Sequence, residues 1–233
     1  MRYIRKGQEP QSFADWKAQE NDDWKPTYSD LSGSIKSQLH DSLLLEQGNT
    51  CCYCGMRITK NISHIEHLKP QSKFKNLALD FKNLFASCGI SETFSAEYEN
   101  VHHCLEHCGI KKDNELLAVS PLQPDCAEFF RYTGSGEIRP TEDSDRKQAA
   151  LDSLETLNLN ESRLKAMREE AIDGALQGIE ELTSAELDRL IESYEQPNQQ
   201  AFSFAIAYIL KQSQSQTQCS VSLCQILKMH IAL

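Results

Sequence analysis

Cys51-Cys52-Tyr53-Cys54 is the stretch that most restricts how this chain folds. Cys-x-x-Cys spacing directs two thiolates at one tetrahedral Zn(II), with Zn–S about 2.3 Å, so the chain must return two more donors to the same point. Cys88 and Cys108 are the best second pair, since each adjoins a segment that would fold back on the knuckle, and Cys104 is the reserve. Buried free thiols and a redox pair compete with this reading. The redox reading lacks the βαβ context such motifs usually have. Cys52 reads as a packing residue.

Six of the nine cysteines fall between Cys51 and Cys108. In a secreted chain they would suggest disulfides, but Met1-Arg2-Tyr3-Ile4-Arg5-Lys6 is charged and leads into no apolar run. The expectation is a cytoplasmic protein whose thiolates bind metal. No stretch is long enough for a bilayer. Residues 201 to 210 are the most apolar run, against the roughly 20 residues a spanning helix needs, and they read as a core helix.

The net charge of -10 opposes a polyanionic partner, but it is unevenly placed. Residues 51 to 112 carry eight basic and six acidic side chains, and the acidic excess lies outside them. That outer region suits solubility, or docking on a basic partner that supplies the grip on phosphate. Within 51 to 112, Lys69, Lys73, Lys75, Lys111 and Lys112 are candidate phosphate contacts, with a plain solvated surface as the alternative.

The hydrophobic spacing predicts a short helix begun by Ser12-Phe13-Ala14-Asp15. A second carries Ile35, Leu39, Leu43 and Leu44 and stops at Gly48. Residues 51 to 69 read as two short strands around a turn. The chain returns to the core at Asn83 to Cys88, then runs through a polar insertion to a short helix near Cys108. Gly134-Ser135-Gly136 marks a hairpin turn. Helices dominate from Asp143: one is entered at Asn160, one is capped by Thr183-Ser184-Ala185-Glu186, and one covers 198 to 211. A Gln/Ser-rich linker and a final amphipathic stretch follow.

Glu66-His67 is the catalytic candidate. A neutral imidazole takes a proton from water near neutral pH, and a neighbouring carboxylate holds a hard divalent cation. Successive strand residues face opposite sides, so both reach one site only if the strand ends there. Pro70 makes such an ending plausible.

The order Cys51-x-x-Cys54, Glu66-His67-x-x-Pro70-x-Ser72, Asn83-Leu84, Ser87-Cys88 and Cys108-x-x-Lys111-Lys112 resembles the HNH (ββα-metal) endonucleases with zinc-binding cysteines. With Ser120-Pro121-Leu122, Asp125-Cys126, Gly136-x-Ile138 and Leu157-Asn158-Leu159-Asn160, it is similar to the PtuB nucleases of Septu-type and retron-associated anti-phage systems, over about residues 1 to 180. The resemblance implies His67 as general base, Glu66 as ligand of a catalytic Mg(II) or Mn(II), and Asn83 as the brace that orients the base. It also implies Cys51, Cys54, Cys88 and Cys108 around structural Zn(II). In many such enzymes a His or Asn follows the last cysteine, and Gly109 stands there instead. His64, His107 and Asp113 are the substitutes to weigh.

The expected fold class is α+β, mostly helical. A zinc-stabilised ββα-metal finger (51–120) is flanked by an N-terminal helical segment (1–50) and a mainly helical C-terminal region (121–233) that offers a docking surface. The implied partners are a PtuA-type ATPase, a retron reverse transcriptase with its DNA or RNA product, and a nucleic-acid substrate: DNA by default, with RNA such as tRNA open. The competing function is a catalytically inactive zinc module that binds nucleic acid or protein.

Overall fold

A computed structural model describes residues 1–89, 107–196 and 200–215. The polar insertion, Cys104 and the final amphipathic stretch lie outside them. Two small antiparallel sheets sit among helices, giving a mixed fold. Helix α1 (Gln11–Lys17) begins directly after Pro10, so Ser12 is inside it and caps nothing. Proline fixes the backbone just outside a first turn whose N–H groups have no helical partner. Helix α2 (Gly33–Glu46) buries Leu39, His40, Leu43 and Leu44, and Gly48 follows it in a left-handed conformation (φ 64°).

The expected pair of strands across 51–69 does not form. The knuckle is closed by a lone bridge, Thr50 to Arg57, and by Cys51 N–H donating to Met56 O at 2.9 Å. The turn that aims two sulfurs at one point takes up the first part of the segment, and only residues 63–67 of it form a strand. The hairpin is built instead from β1 (Ser63–His67) and β2 (Leu84–Cys88), paired Ser63 with Cys88 at one end and His67 with Leu84 at the other. Beyond the strand, Leu68 N–H still donates to Asn83 O (2.9 Å).

The second edge of β2 is also satisfied. Cys52 N–H donates to Ala86 O, and the buried Gln47 amide donates to Ala86 O and accepts from Ala86 N–H, both at 2.8 Å. Buried backbone groups require such partners, and these lock the knuckle and the end of α2 onto the hairpin. Helix α3 (Cys108–Lys112) then packs on β2, so the local order is strand, strand, helix.

Strands β3 (Phe130–Tyr132) and β4 (Ile138–Pro140) form the expected hairpin. Gly136 is obligatory in its turn: φ is +71°, and a Cβ there would lie 2.2 Å from Lys165 O. Asn160 does not open the next helix. Its amide clamps β4, pairing with both Ile138 N–H and Ile138 O at 2.8 Å. Glu161 caps α5 (Ser162–Leu176), after α4 (Ser144–Leu157). The Thr183 and Glu186 capping box starts α6 (Ser184–Glu195) as expected. Helix α7 covers 203–215.

One buried cluster draws residues from the N-terminal, central and C-terminal segments alike, including Phe13, Leu39, Cys54, Leu84, Ile138, Leu157 and Phe202. Just ahead of α7, Phe202 N–H donates to Gly55 O at 2.8 Å, so this part of the C-terminal region covers the knuckle. Among the described residues no helix is long and apolar enough to cross a membrane.

Candidate metal centre and catalytic hairpin

Cys51 and Cys54 come from the knuckle, Cys88 from the end of β2 and Cys108 from the start of α3. All four are buried, and their sulfurs lie within 4.8 Å of one another. An ideal tetrahedron with Zn–S of about 2.3 Å has sulfurs about 3.8 Å apart, and Cys54 Sγ and Cys88 Sγ are separated by 3.9 Å. The donor set therefore fits a metal such as zinc. Met56 N–H reaches Cys54 Sγ at 3.4 Å, and His107 Nδ1 lies 3.2 Å from Cys108 Sγ and 3.6 Å from Cys88 Sγ. Such outer groups steady thiolates around a metal.

The thiols influence one another strongly. Burial pushes Cys51 up, but hydrogen bonds from Cys108, Cys52, Cys54 and Cys88 outweigh it and hold Cys51 well below the usual thiol range. Burial pushes Cys52 and Cys108 well above that range. Burial lowers the pKa of the Arg168 guanidinium, which donates to Gly136 O (2.6 Å) and Leu159 O (3.0 Å), and Tyr132, Cys54 and Cys108 oppose that lowering. The guanidinium would offset the negative charge of a four-thiolate centre.

At the other end of the hairpin, Glu66 and His67 line one cavity of about 360 Å³ together with Pro70, Gly109 and Asn114. Strand β1 ends at His67, and this ending brings two successive side chains to a common space. His67 Nε2–H donates to Ala78 O at 3.1 Å, which fixes the tautomer and leaves Nδ1 as the acceptor. Tyr28 meets the imidazole edge-on, with centroids 4.4 Å apart. It is held in a short 3-10 turn by Thr27 and Asp30. Burial lowers the His67 pKa below the ordinary imidazole value, outweighing the Ala78 hydrogen bond and the Glu66 charge, which raise it.

Asn83 is buried and spans the loop between the two strands. Its Oδ1 accepts from Lys69 N–H at 2.8 Å, and its Nδ2 donates to Lys69 O (3.0 Å) and Leu77 O (3.1 Å). These bonds hold both sides of the loop that carries Ala78, and so the carbonyl to which His67 donates.

Glu66 is buried and its two oxygens are used differently. Oε1 accepts from Tyr53 Oη at 3.0 Å and faces Lys112 Nζ at 2.9 Å. Oε2 faces His64 Nε2 at 3.4 Å. Burial would push this carboxyl up, but the His64 hydrogen bond and the Lys112 charge hold it below the usual range.

The candidate phosphate contact Lys112 is thereby corrected: at 1% exposure its ammonium is part of the site's interior, also donating to His67 O at 3.2 Å. A buried ammonium needs such a partner set, and none of it faces nucleic acid. Lys73 lies 4.0 Å from Glu115 at the surface. Tyr28 and Tyr53 join the site without a recognisable spacing in the sequence, and Lys112 joins it from the end of the Cys108-x-x-Lys111-Lys112 run. Of the substitutes for the residue at 109, His64 stands beside Glu66 and Asp113 lines the same cavity as Glu66 and His67, whereas His107 belongs to the cysteine cluster.

No protein-family model matches the chain. The chain is 28% identical, over 144 residues, to a Vibrio cholerae serotype O1 biovar El Tor protein named "Retron Vc95 putative HNH endonuclease", a match covering 60% of this chain and 65% of that protein. The similarity thus spans somewhat less than two thirds of the relative. With the cysteine centre and the Glu66 and His67 cavity, it supports kinship with the HNH endonucleases.

Proposed function

We propose that this chain is a metal-dependent HNH endonuclease that hydrolyses phosphodiester bonds of nucleic acid. The observation that carries the reading is the His67 imidazole: buried, fixed by Ala78 O, and presenting Nδ1 as an acceptor beside a carboxylate. In this reading His67 Nδ1 removes the proton of the attacking water, and Asn83 and Tyr28 fix the ring's orientation. Glu66 would hold a divalent cation such as Mg(II) or Mn(II), whose chemistry is to stabilise negative charge on the phosphoryl and leaving oxygens. Cys51, Cys54, Cys88 and Cys108 would bind structural Zn(II) and hold α3 against β2.

The relative's name, a retron HNH endonuclease, supports a retron setting for this chain as well. The proposed setting is an anti-phage complex of the Septu or PtuB kind, with a PtuA-type ATPase, a retron reverse transcriptase and its nucleic-acid product as partners. DNA is the default substrate, with RNA including tRNA as the alternative.

The test is cleavage of separate DNA and tRNA pools by the purified complex with Mg(II) or Mn(II). His67→Ala should abolish cleavage and leave zinc content and folding unchanged. A His67→Ala protein that cuts as fast as the original removes the proposed base. An original protein inert on both pools, with its zinc intact, favours the non-enzymatic zinc module.

A further inference from the structure

A residue at position 109 has no room for a side chain. A Cβ there would lie 2.7 Å from Glu66 Oε2 and 2.8 Å from His64 Nε2. The space beside Glu66 that a helix-borne donor would fill is thus already taken, from β1, by an imidazole. Strand alternation explains the placement, because His64 and Glu66 are two residues apart and share a face.

Both ends of the His64 ring have assigned surroundings. Nδ1 lies 3.4 Å from Gly89 O and Nε2 lies 3.4 Å from Glu66 Oε2, so both ring nitrogens face acceptors. A neutral ring has one N–H for these two acceptors. With that N–H on Nδ1, Nε2 and Oε2 both turn lone pairs toward one point, where a bound cation would satisfy them.

The surroundings match those of metal ligands elsewhere. Ligating histidines hand their second N–H to a carbonyl or carboxylate, and ligating carboxylates are hydrogen-bonded in turn. Here Tyr53 and Lys112 occupy Oε1 and leave Oε2 for a metal. Adjacent ligands of an octahedral ion at 2.0–2.1 Å are about 3 Å apart, so the His64 and Glu66 pair needs only a slight contraction.

We propose that His64 Nε2 is a ligand of the catalytic divalent cation, paired with Glu66 Oε2 in the place left by Gly109. The assignment rests on the nuclease reading and adds to it a ligand type. An imidazole favours Mn(II) and later transition ions over Mg(II), relative to an all-oxygen site.

The test uses the full-length, zinc-loaded protein with Mn(II) as the probe, read by pulsed electron paramagnetic resonance. Directly bound nitrogen gives a ¹⁴N modulation of the Mn(II) echo. The modulation should be present in the original protein, lost in His64→Ala and retained in His67→Ala. Mn(II) affinity should fall by about tenfold or more in His64→Ala, while zinc stays at the level of the original protein. An original protein without ¹⁴N modulation, or without bound Mn(II), overturns the assignment with no variant needed, as does modulation that persists in His64→Ala. Cleavage that depends on His67 would keep the nuclease reading in any of these cases, so the two fail separately.

Discussion

Lys112 Nζ stands 2.9 Å from Glu66 Oε1, with the lysine side chain 1% and the glutamate side chain 8% exposed. The ammonium compensates a carboxylate that water barely reaches. Removing one partner of such a pair strands the other charge, at a cost of about 3–5 kcal/mol. Lys112→Ala is predicted to lower unfolding free energy by about that amount in urea titrations. A loss below about 1 kcal/mol would show that the pair is exposed to solvent after all.

His67 titrates below an ordinary imidazole because burial disfavours its charged form. A base with a lowered pKa stays deprotonated, and hence competent, to lower pH. The acid limb of the kcat/KM profile is therefore predicted to have its midpoint below 6.5, the ordinary value. Tyr28→Ala opens one side of the ring and should move that midpoint upward, toward the ordinary value. A limb that stays put in the variant would remove Tyr28 from the account.

His40 makes a separate pH prediction about stability. It is buried, bonded through Nε2 to Ser63 Oγ at 2.9 Å, and burial lowers its pKa to about 4. Lys60, His64 and Lys36 add to the lowering, and Asp41 opposes it. Between about pH 6.5 and 4 the unfolded chain binds this proton and the folded chain does not, so stability falls as pH falls through that window. The loss attributable to His40 is about 3 kcal/mol at most, at about 1.36 kcal/mol per pKa unit. His40→Gln should flatten this slope between pH 7 and pH 4.5 in paired denaturant curves. Parallel slopes in the two proteins would refute the assignment.

Zinc removal should act on the whole hairpin and on α3, since the four sulfurs come from the knuckle, β2 and α3. Cys88→Ser and Cys108→Ser are each predicted to lower zinc content and to destabilise the fold by several kcal/mol, in line with the coupling of metal binding and folding. Elemental analysis with thermal melts checks this. Cys51 and Cys54 should resist alkylation in the metal-loaded protein, and fast modification there would revive the redox reading.

Asn83→Ala deletes three hydrogen bonds around the loop carrying Ala78. Leaving buried backbone groups unpaired costs about 1–3 kcal/mol. The expected kinetic signature is a fall in kcat, because the proposed base, His67, loses its fixed orientation. An unchanged kcat with reduced stability would restrict Asn83 to holding the fold.

The clustering of Cys51, Cys54, Cys88 and Cys108 was legible in the sequence because metal geometry is a local demand. Cys-x-x-Cys announces a centre, and Cys88 and Cys108 adjoin the segments that fold back to it. That Glu66 and His67 share one space was legible in the condition that the strand end there, which it does. Lys112 was misread, since a lysine in a basic run carries no mark of burial and its role depends on Tyr53 and Glu66 arriving from elsewhere. Tyr28 reaches His67 from a turn ahead of α2, with no spacing to signal it. The strand pairing was misplaced because β1 pairs across the loop at 68 to 83, not across the nearer knuckle turn.

The crowding at Gly109 also constrains how such a sequence can drift. Positions 64 and 109 lie on different elements, yet any side chain at 109 meets His64 and Glu66 at under 3 Å. A larger residue at 109 therefore requires the ends of both the His64 and the Glu66 side chains to move. The effect of a substitution at 109 depends on what stands at 64 and at 66, so the three positions are energetically coupled.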